Sequence, residues 1–89
     1  MKIIRITAIW CMSCLAMKKI WRKTFKDYSD IEIIDYDFDA DKEKIKKYNV
    51  GETLPELIVY INDIEVRRII GEKSLKEFKK IIEELHEKN

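Results

Sequence analysis

The chain has 89 residues, room for one domain and one modest core. Hydrophobic residues make up 46% and charged residues 39%, a globular composition that excludes intrinsic disorder. The 18 basic residues against 17 acidic leave a net charge of +1, which argues against a nucleic-acid footprint or a polybasic membrane surface. Apolar runs are too short to span a bilayer, and no basic and apolar leader opens the chain. A cytoplasmic, monomeric protein is expected, with residues 1–89 forming a single domain.

In chain order, Lys2–Ile9 is short, apolar and β-branched, and reads as a buried strand. Residues 12–28 read as a helix. Cys14, Met17, Ile20, Trp21, Thr24, Phe25 and Tyr28 fall on one stripe at helical spacing. Lys18, Lys19, Arg22 and Lys23 lie off that stripe as a basic face, either solvated or a docking surface for an acidic partner. Ser29-Asp30 ends the helix, and Ile31–Phe38 is a second strand. Asp39 or Asp41 is placed to cap a short helix running to about Tyr48, with Ile45 and Tyr48 facing inward.

Thr53-Leu54-Pro55 is a break. Glu56–Ile61 and Ile64–Ile70 are strands joined by the two-residue turn Asn62-Asp63. Glu65, Arg67 and Arg68 make the last strand polar, as suits a sheet edge. Gly71 ends it. Ser74 and Glu77 form a capping box, and Leu75, Phe78, Ile81, Ile82 and Leu85 give the last helix its apolar face. The order β-α-β-α-β-β-α makes an α/β fold: a four-stranded mixed sheet with helices on both faces.

Cys11-Met12-Ser13-Cys14 sits where the first strand gives way to the first helix. The first turn of a helix carries unpaired backbone N–H groups and the positive end of the dipole. A thiolate there is stabilised and becomes nucleophilic near neutral pH. Cys11, at the cap, is the expected exposed attacker. Cys14, one turn in on the apolar stripe, is the expected buried resolving thiol. The chemistry is thiol–disulfide exchange through a mixed disulfide. The dithiol carries the electrons itself, so no cofactor is implied.

Two other uses of such a pair are metal sites. A zinc site normally needs four ligands. Beyond the two cysteines only His86 offers itself, and it reads as a solvated helix-end residue. Copper chaperones also place C-x-x-C at a strand-to-helix junction, but their chains end in a strand and this one ends in a helix.

At Trp10-Cys11-Met12-Ser13-Cys14 and Thr53-Leu54-Pro55 the chain resembles the thioredoxin superfamily, over about residues 2–87. Forty residues lie between Cys14 and Pro55, which agrees with the family spacing. It looks like a compact version without the extra N-terminal strand and helix. The resemblance implies a cis Pro55 beside the two sulfurs. It implies that Leu54 offers its backbone to an extended substrate segment. Trp10 would be an apolar wall beside the nucleophile; the alternative is a core tryptophan. Protein disulfides are the implied substrates, and a thioredoxin-reductase-like or glutathione-linked reductant the implied source of electrons.

Two departures from the family stand out. Met12-Ser13 replaces the usual Gly-Pro between the cysteines. Arg5 stands where thioredoxins keep a buried aspartate, and Asp35 where they keep its lysine. Either Arg5 and Asp35 form a sign-reversed pair under the site that tunes the thiols, or they form a surface pair on a wetter face.

The leading function is therefore a thiol–disulfide oxidoreductase that reduces protein disulfides. One alternative is a glutaredoxin-like, glutathione-linked reductase, since Thr53-Leu54-Pro55 is near that family's T-V-P. Trp10, and Ile69-Ile70-Gly71-Glu72 in place of a Gly-Gly-x-Asp-like segment, count against it. The other alternative is a protein-binding module that docks partners at Leu54 and Pro55.

Overall fold

The computed structural model describes residues 1–88; Asn89, the last residue of the expected domain, lies outside the described residues. Strands β1 (Lys2–Thr7), β2 (Glu32–Asp37), β3 (Glu56–Ile61) and β4 (Ile64–Ile70) form one sheet in the order β2-β1-β3-β4. β1 and β2 run parallel because helix α1 (Met12–Phe25) crosses between them. β3 is antiparallel to β1 and to β4. The expected mixed sheet and α/β order are both present.

The strands alternate their side chains between two apolar layers. Ile3, Leu57, Val59 and Ile69 pack against Met17 and Trp21 of α1 and Phe78, Ile81, Ile82 and Leu85 of the last helix, α3 (Leu75–Glu87). On the opposite side Ile4, Ile6 and Ile58 pack against Ile45 of the short helix α2 (Lys42–Ile45), with Tyr48 behind it. Cys11, Cys14 and Leu54 belong to this second layer. The two layers together hold the junction between β1 and α1 from below.

The chain departs from the expected boundaries where a turn needs residues. β1 stops at Thr7, and the Cys11 N–H donates to the Ala8 carbonyl at 3.1 Å. That turn swings the chain from sheet to helix and throws Ile9 outward, so Ile9 is 98% exposed and not buried in a strand. α1 ends at Phe25. The Asp27 and Tyr28 N–H groups bond carbonyls three residues back, so the last turn tightens before Ser29-Asp30. Tyr28 still packs on the core from this turn. α2 is a single α-turn followed by a 3-10 turn over Lys46–Tyr48, closed by Asn49 at φ 53°. Asp41 stands at the start of α2, but its carboxylate accepts from the Asp37 N–H at 2.8 Å and does not cap the helix.

The hairpin and the last helix follow local chemistry closely. Asn62 and Asp63 both have positive φ (52° and 65°), the conformation a two-residue hairpin turn demands. Ser74 Oγ accepts from the Glu77 N–H at 3.1 Å, the first half of the capping box. β4 is an edge strand, exposed from Ile64 to Arg67. No described helix is long and apolar enough to cross a membrane.

Candidate redox site

Cys11 occupies the N-cap of α1 with extended backbone (φ −90°, ψ 104°). Its carbonyl accepts from the Leu15 N–H at 3.2 Å, the first bond of the helix. Its sulfur accepts from the Cys14 N–H at 3.1 Å, so a helix-start donor already points at Sγ. The two sulfurs are joined as a disulfide, with Cα atoms 5.3 Å apart. One helical turn brings them together, as the spacing predicts.

Cys14 is buried at 2% exposure, as expected. Cys11 is 8% exposed, which corrects the expectation of an openly exposed attacker. It packs in the second apolar layer with Ala8, Cys14 and Leu54. Both cysteines line a small cleft of about 150 Å³ with Thr7, Ala8, Met12, Lys18 and Asp37. Around the cysteines, Ile9, Trp10, Met12 and Leu15 stand 98%, 56%, 75% and 58% exposed. An aqueous surface does not favour four large apolar side chains along one short stretch.

Trp10 is at the surface and not in the core. Its indole N–H donates to Asp39 Oδ2 at 2.6 Å, and its ring meets Phe38 edge-on with centroids 6.1 Å apart. Two residues after β2 thus fix the orientation of a residue before α1. The Leu54–Pro55 peptide is cis, as the resemblance implies. Both residues are buried, and the Pro55 carbonyl accepts from the Gly71 N–H at 2.9 Å. Leu54 shares the second apolar layer with Cys11 and Cys14.

Arg5 and Asp35 are register partners on β1 and β2, and their side chains meet. Arg5 Nε and Nη2 donate to the two carboxylate oxygens at 2.6 and 3.0 Å. The guanidinium also lies 4.8 Å from the centre of the Trp21 ring. The pair lines a larger cleft of about 490 Å³ that adjoins the cysteine cleft and shares Thr7 and Lys18 with it. Neither cysteine lines this larger cleft.

Several contacts had no signal in the sequence. Asp39, Ser13 and Glu72 are joined to the site by bonds across 29 and 59 residues. Glu56, directly after Pro55, is a carboxylate only 2% exposed. It accepts from Arg68 Nη1 at 2.7 Å, and Arg68 also donates to Glu65 at 2.8 and 3.0 Å. The Arg68 bond holds Glu65 below the ordinary carboxylate range. Bonds to Glu65 and then Glu56 keep Arg68 firmly charged.

His86 lies at the end of α3 as expected, its side chain 31% exposed, but it is also bonded. It bonds the Asp30 carboxylate at 2.9 Å, and its ring centroid lies 4.7 Å from that of Tyr28. It ties the end of α3 to the turn after α1. Among the described residues, no three His, Cys, Asp or Glu side chains are grouped to hold a metal ion.

The thioredoxin family model matches residues 1–84. Among curated proteins none matches significantly. Many solved structures do. Thioredoxin 1 from Thermosipho africanus is 26% identical, with 98% of this chain and 96% of that one covered and a TM-score of 0.80. A protein called Trxlp from Edwardsiella tarda is 27% identical over 90% of this chain and 79% of its own, with a TM-score of 0.82. Oxidised thioredoxin from Plasmodium falciparum is 26% identical over 94% and 79%, with a TM-score of 0.80.

Proposed function

Because the chain belongs to the thioredoxin family, we propose that it reduces protein disulfides by thiol–disulfide exchange through Cys11 and Cys14. The observation that carries this reading is the placement of Cys11 Sγ at the N-cap, 3.1 Å from the Cys14 N–H. A donor aimed at sulfur stabilises the thiolate more than the thiol.

The exchange runs in two displacements. In the reduced protein the Cys11 thiolate attacks one sulfur of a substrate disulfide. A mixed disulfide forms, and the other substrate sulfur leaves as a thiolate and takes a proton. Cys14 then loses its proton and attacks Cys11 Sγ. The mixed disulfide breaks, the second substrate thiol is released, and the Cys11–Cys14 disulfide closes. The protein gives the substrate two electrons; of the two protons taken up, one matches that lost by Cys14 and the other comes from solvent, where Cys11 had released its own on ionising. A separate dithiol reductase or a glutathione-type thiol pool restores the dithiol.

The remaining residues receive roles by position. Trp10, with Ile9, Met12 and Leu15 around it, offers an apolar collar for the segment that flanks a substrate cysteine. Leu54 and Pro55 provide the backbone against which an extended segment pairs. Burial of Cys14 delays its attack until the substrate sulfur is bonded to Cys11. A reducing compartment such as the cytoplasm suits a chain whose two cysteines both belong to the exchange pair.

The test is reduction of insulin disulfides by catalytic amounts of the protein with dithiothreitol as electron source. Turnover lost in Cys11→Ser is the expected result. Cys14→Ser should instead retain substrates covalently on Cys11. No acceleration by the wild type over dithiothreitol alone would overturn the reading. Preferential turnover of a glutathione mixed disulfide would move it to the glutaredoxin class.

A further inference from the structure

Ser13, between the two cysteines, donates from its hydroxyl to Glu72 Oε1 at 2.8 Å. Glu72 lies in the turn between β4 and α3, 59 residues away in sequence. The same turn is pinned on both sides. The Gly71 N–H bonds the Pro55 carbonyl at 2.9 Å, and the Lys73 N–H points at Met17 Sδ at 3.4 Å. Three consecutive residues thus touch the cis-proline, the Cys11–Cys14 segment and the next turn of α1. Gly71 has φ 81°, the left-handed conformation that sets this turn.

We propose that Glu72 is a positioning residue of the exchange site: it holds the hydroxyl of Ser13, between the two cysteines, and its carboxylate makes the dithiol a stronger reductant. The inference rests on the exchange reading above. Two physical effects act in the same direction. Ser13 has one hydroxyl hydrogen, and it is donated to Glu72 Oε1, so it is not donated to a Cys11 thiolate. A carboxylate near a thiolate also raises the energy of the thiolate. A less stabilised reduced state gives up its electrons more readily.

Among the described residues no cation is within ion-pair distance of the Glu72 carboxylate. Lys73 turns its ammonium to the Ile70 and Glu72 carbonyls, at 2.8 and 3.4 Å. The other charges around the cysteines are Lys18 and Asp37 in the small cleft and Asp39 on Trp10. Glu56, behind Pro55, is neutralised by Arg68. Asp37 and Asp39 remain unchanged in a Glu72 variant, so their contribution cancels in the comparison.

The test compares wild type, Glu72→Gln, Ser13→Ala and the double variant. Glutamine keeps an acceptor for Ser13 and removes only the charge. Each reduced protein is treated with iodoacetamide across pH, and Cys11 modification is followed by mass. Each is also equilibrated with mixtures of reduced and oxidised glutathione. For Glu72→Gln the profile should move to lower pH, with Cys11 modified about threefold faster near pH 6, and more protein should stay reduced at a given glutathione ratio. Ser13→Ala should shift both readouts in the same direction, and the double variant should shift less than the sum. A Glu72→Gln profile and glutathione balance that coincide with wild type would overturn the inference. If that coincidence comes with normal insulin reduction, the exchange reading stands and only Glu72 loses its role. A wild type that does not reduce insulin removes both.

Discussion

Arg5 and Asp35 face each other across β1 and β2 with both carboxylate oxygens engaged, at 2.6 and 3.0 Å. The Asp35 side chain is 58% exposed, and the arginine lies over Trp21. A pair this wet contributes no more than about 1 kcal/mol, and the ring contact adds a similar amount. Arg5→Met should therefore lower unfolding stability by roughly 1–2 kcal/mol in a denaturant titration. It should leave the pH profile of Cys11 alkylation where it is, since the cysteines line a different cleft. A moved profile would give the pair a direct role in tuning the thiols.

The Trp10–Asp39 bond should matter for turnover more than for folding. Asp39→Ala frees the indole while leaving the ring against Phe38. Loss of one exposed charge-assisted bond is worth about 1 kcal/mol, or roughly fivefold in kcat/KM for disulfide reduction. Tryptophan emission from Trp10 should become more mobile, with Tm nearly unchanged. Asp39→Asn, which retains an acceptor, should recover most of the rate.

Glu56 is the carboxylate whose partner cannot be removed cheaply. Arg68→Met leaves a 2% exposed charge unpaired directly beside Pro55. The expected loss is roughly 3 kcal/mol of unfolding free energy. Glu65→Ala, which removes only the exposed arm of the network, should cost far less. Denaturant curves of the two variants side by side check the contrast.

Stability should respond to pH at both extremes. The His86 bond holds Asp30 below its ordinary 3.8. A depressed carboxylate stabilises the fold above its unfolded pKa, and that contribution fades as pH falls through the folded value. Asp30→Asn should therefore flatten the acid limb below about pH 4. Burial, helped by nearby carboxylates, raises Tyr28 above its ordinary 10.0. Its contribution is complete below that pH and is lost as pH rises through the higher folded value. Tyr28→Phe should flatten the alkaline limb. Thermal melts across pH would show both.

The order of elements and the helix faces were legible because each strand and helix carries its own local signal. Glu56–Ile61 and Ile64–Ile70 needed only the turn at Asn62-Asp63 to be read as strands, and Phe78, Ile81, Ile82 and Leu85 needed only helical spacing. Cys11 and Cys14 were legible from their junction, and the cis Leu54–Pro55 peptide from family resemblance. The burial of Cys11 was not, because it depends on the apolar layer that Ile4, Ile6, Leu54 and Ile58 bring together from separate strands and the Leu54-Pro55 turn. Asp39, Glu72 and Glu56 were hidden for a related reason. Their partners lie far away in sequence, and an acidic residue in a turn looks solvated until the tertiary fold brings a donor to it. The His86 bond was hidden in the same way, since Asp30 and Tyr28 reach it from the turn after α1.

Titration of the two thiols in the reduced wild-type protein tests most directly whether Cys11 is the activated nucleophile. Timed alkylation at each pH, with the modified residue identified by mass, gives a separate profile for each sulfur. Cys11 should react first at every pH, with its inflection well below that of free cysteine, while Cys14 stays protected. Equal reactivity of the two sulfurs, or a Cys11 inflection at the free-cysteine value, would contradict the assignment.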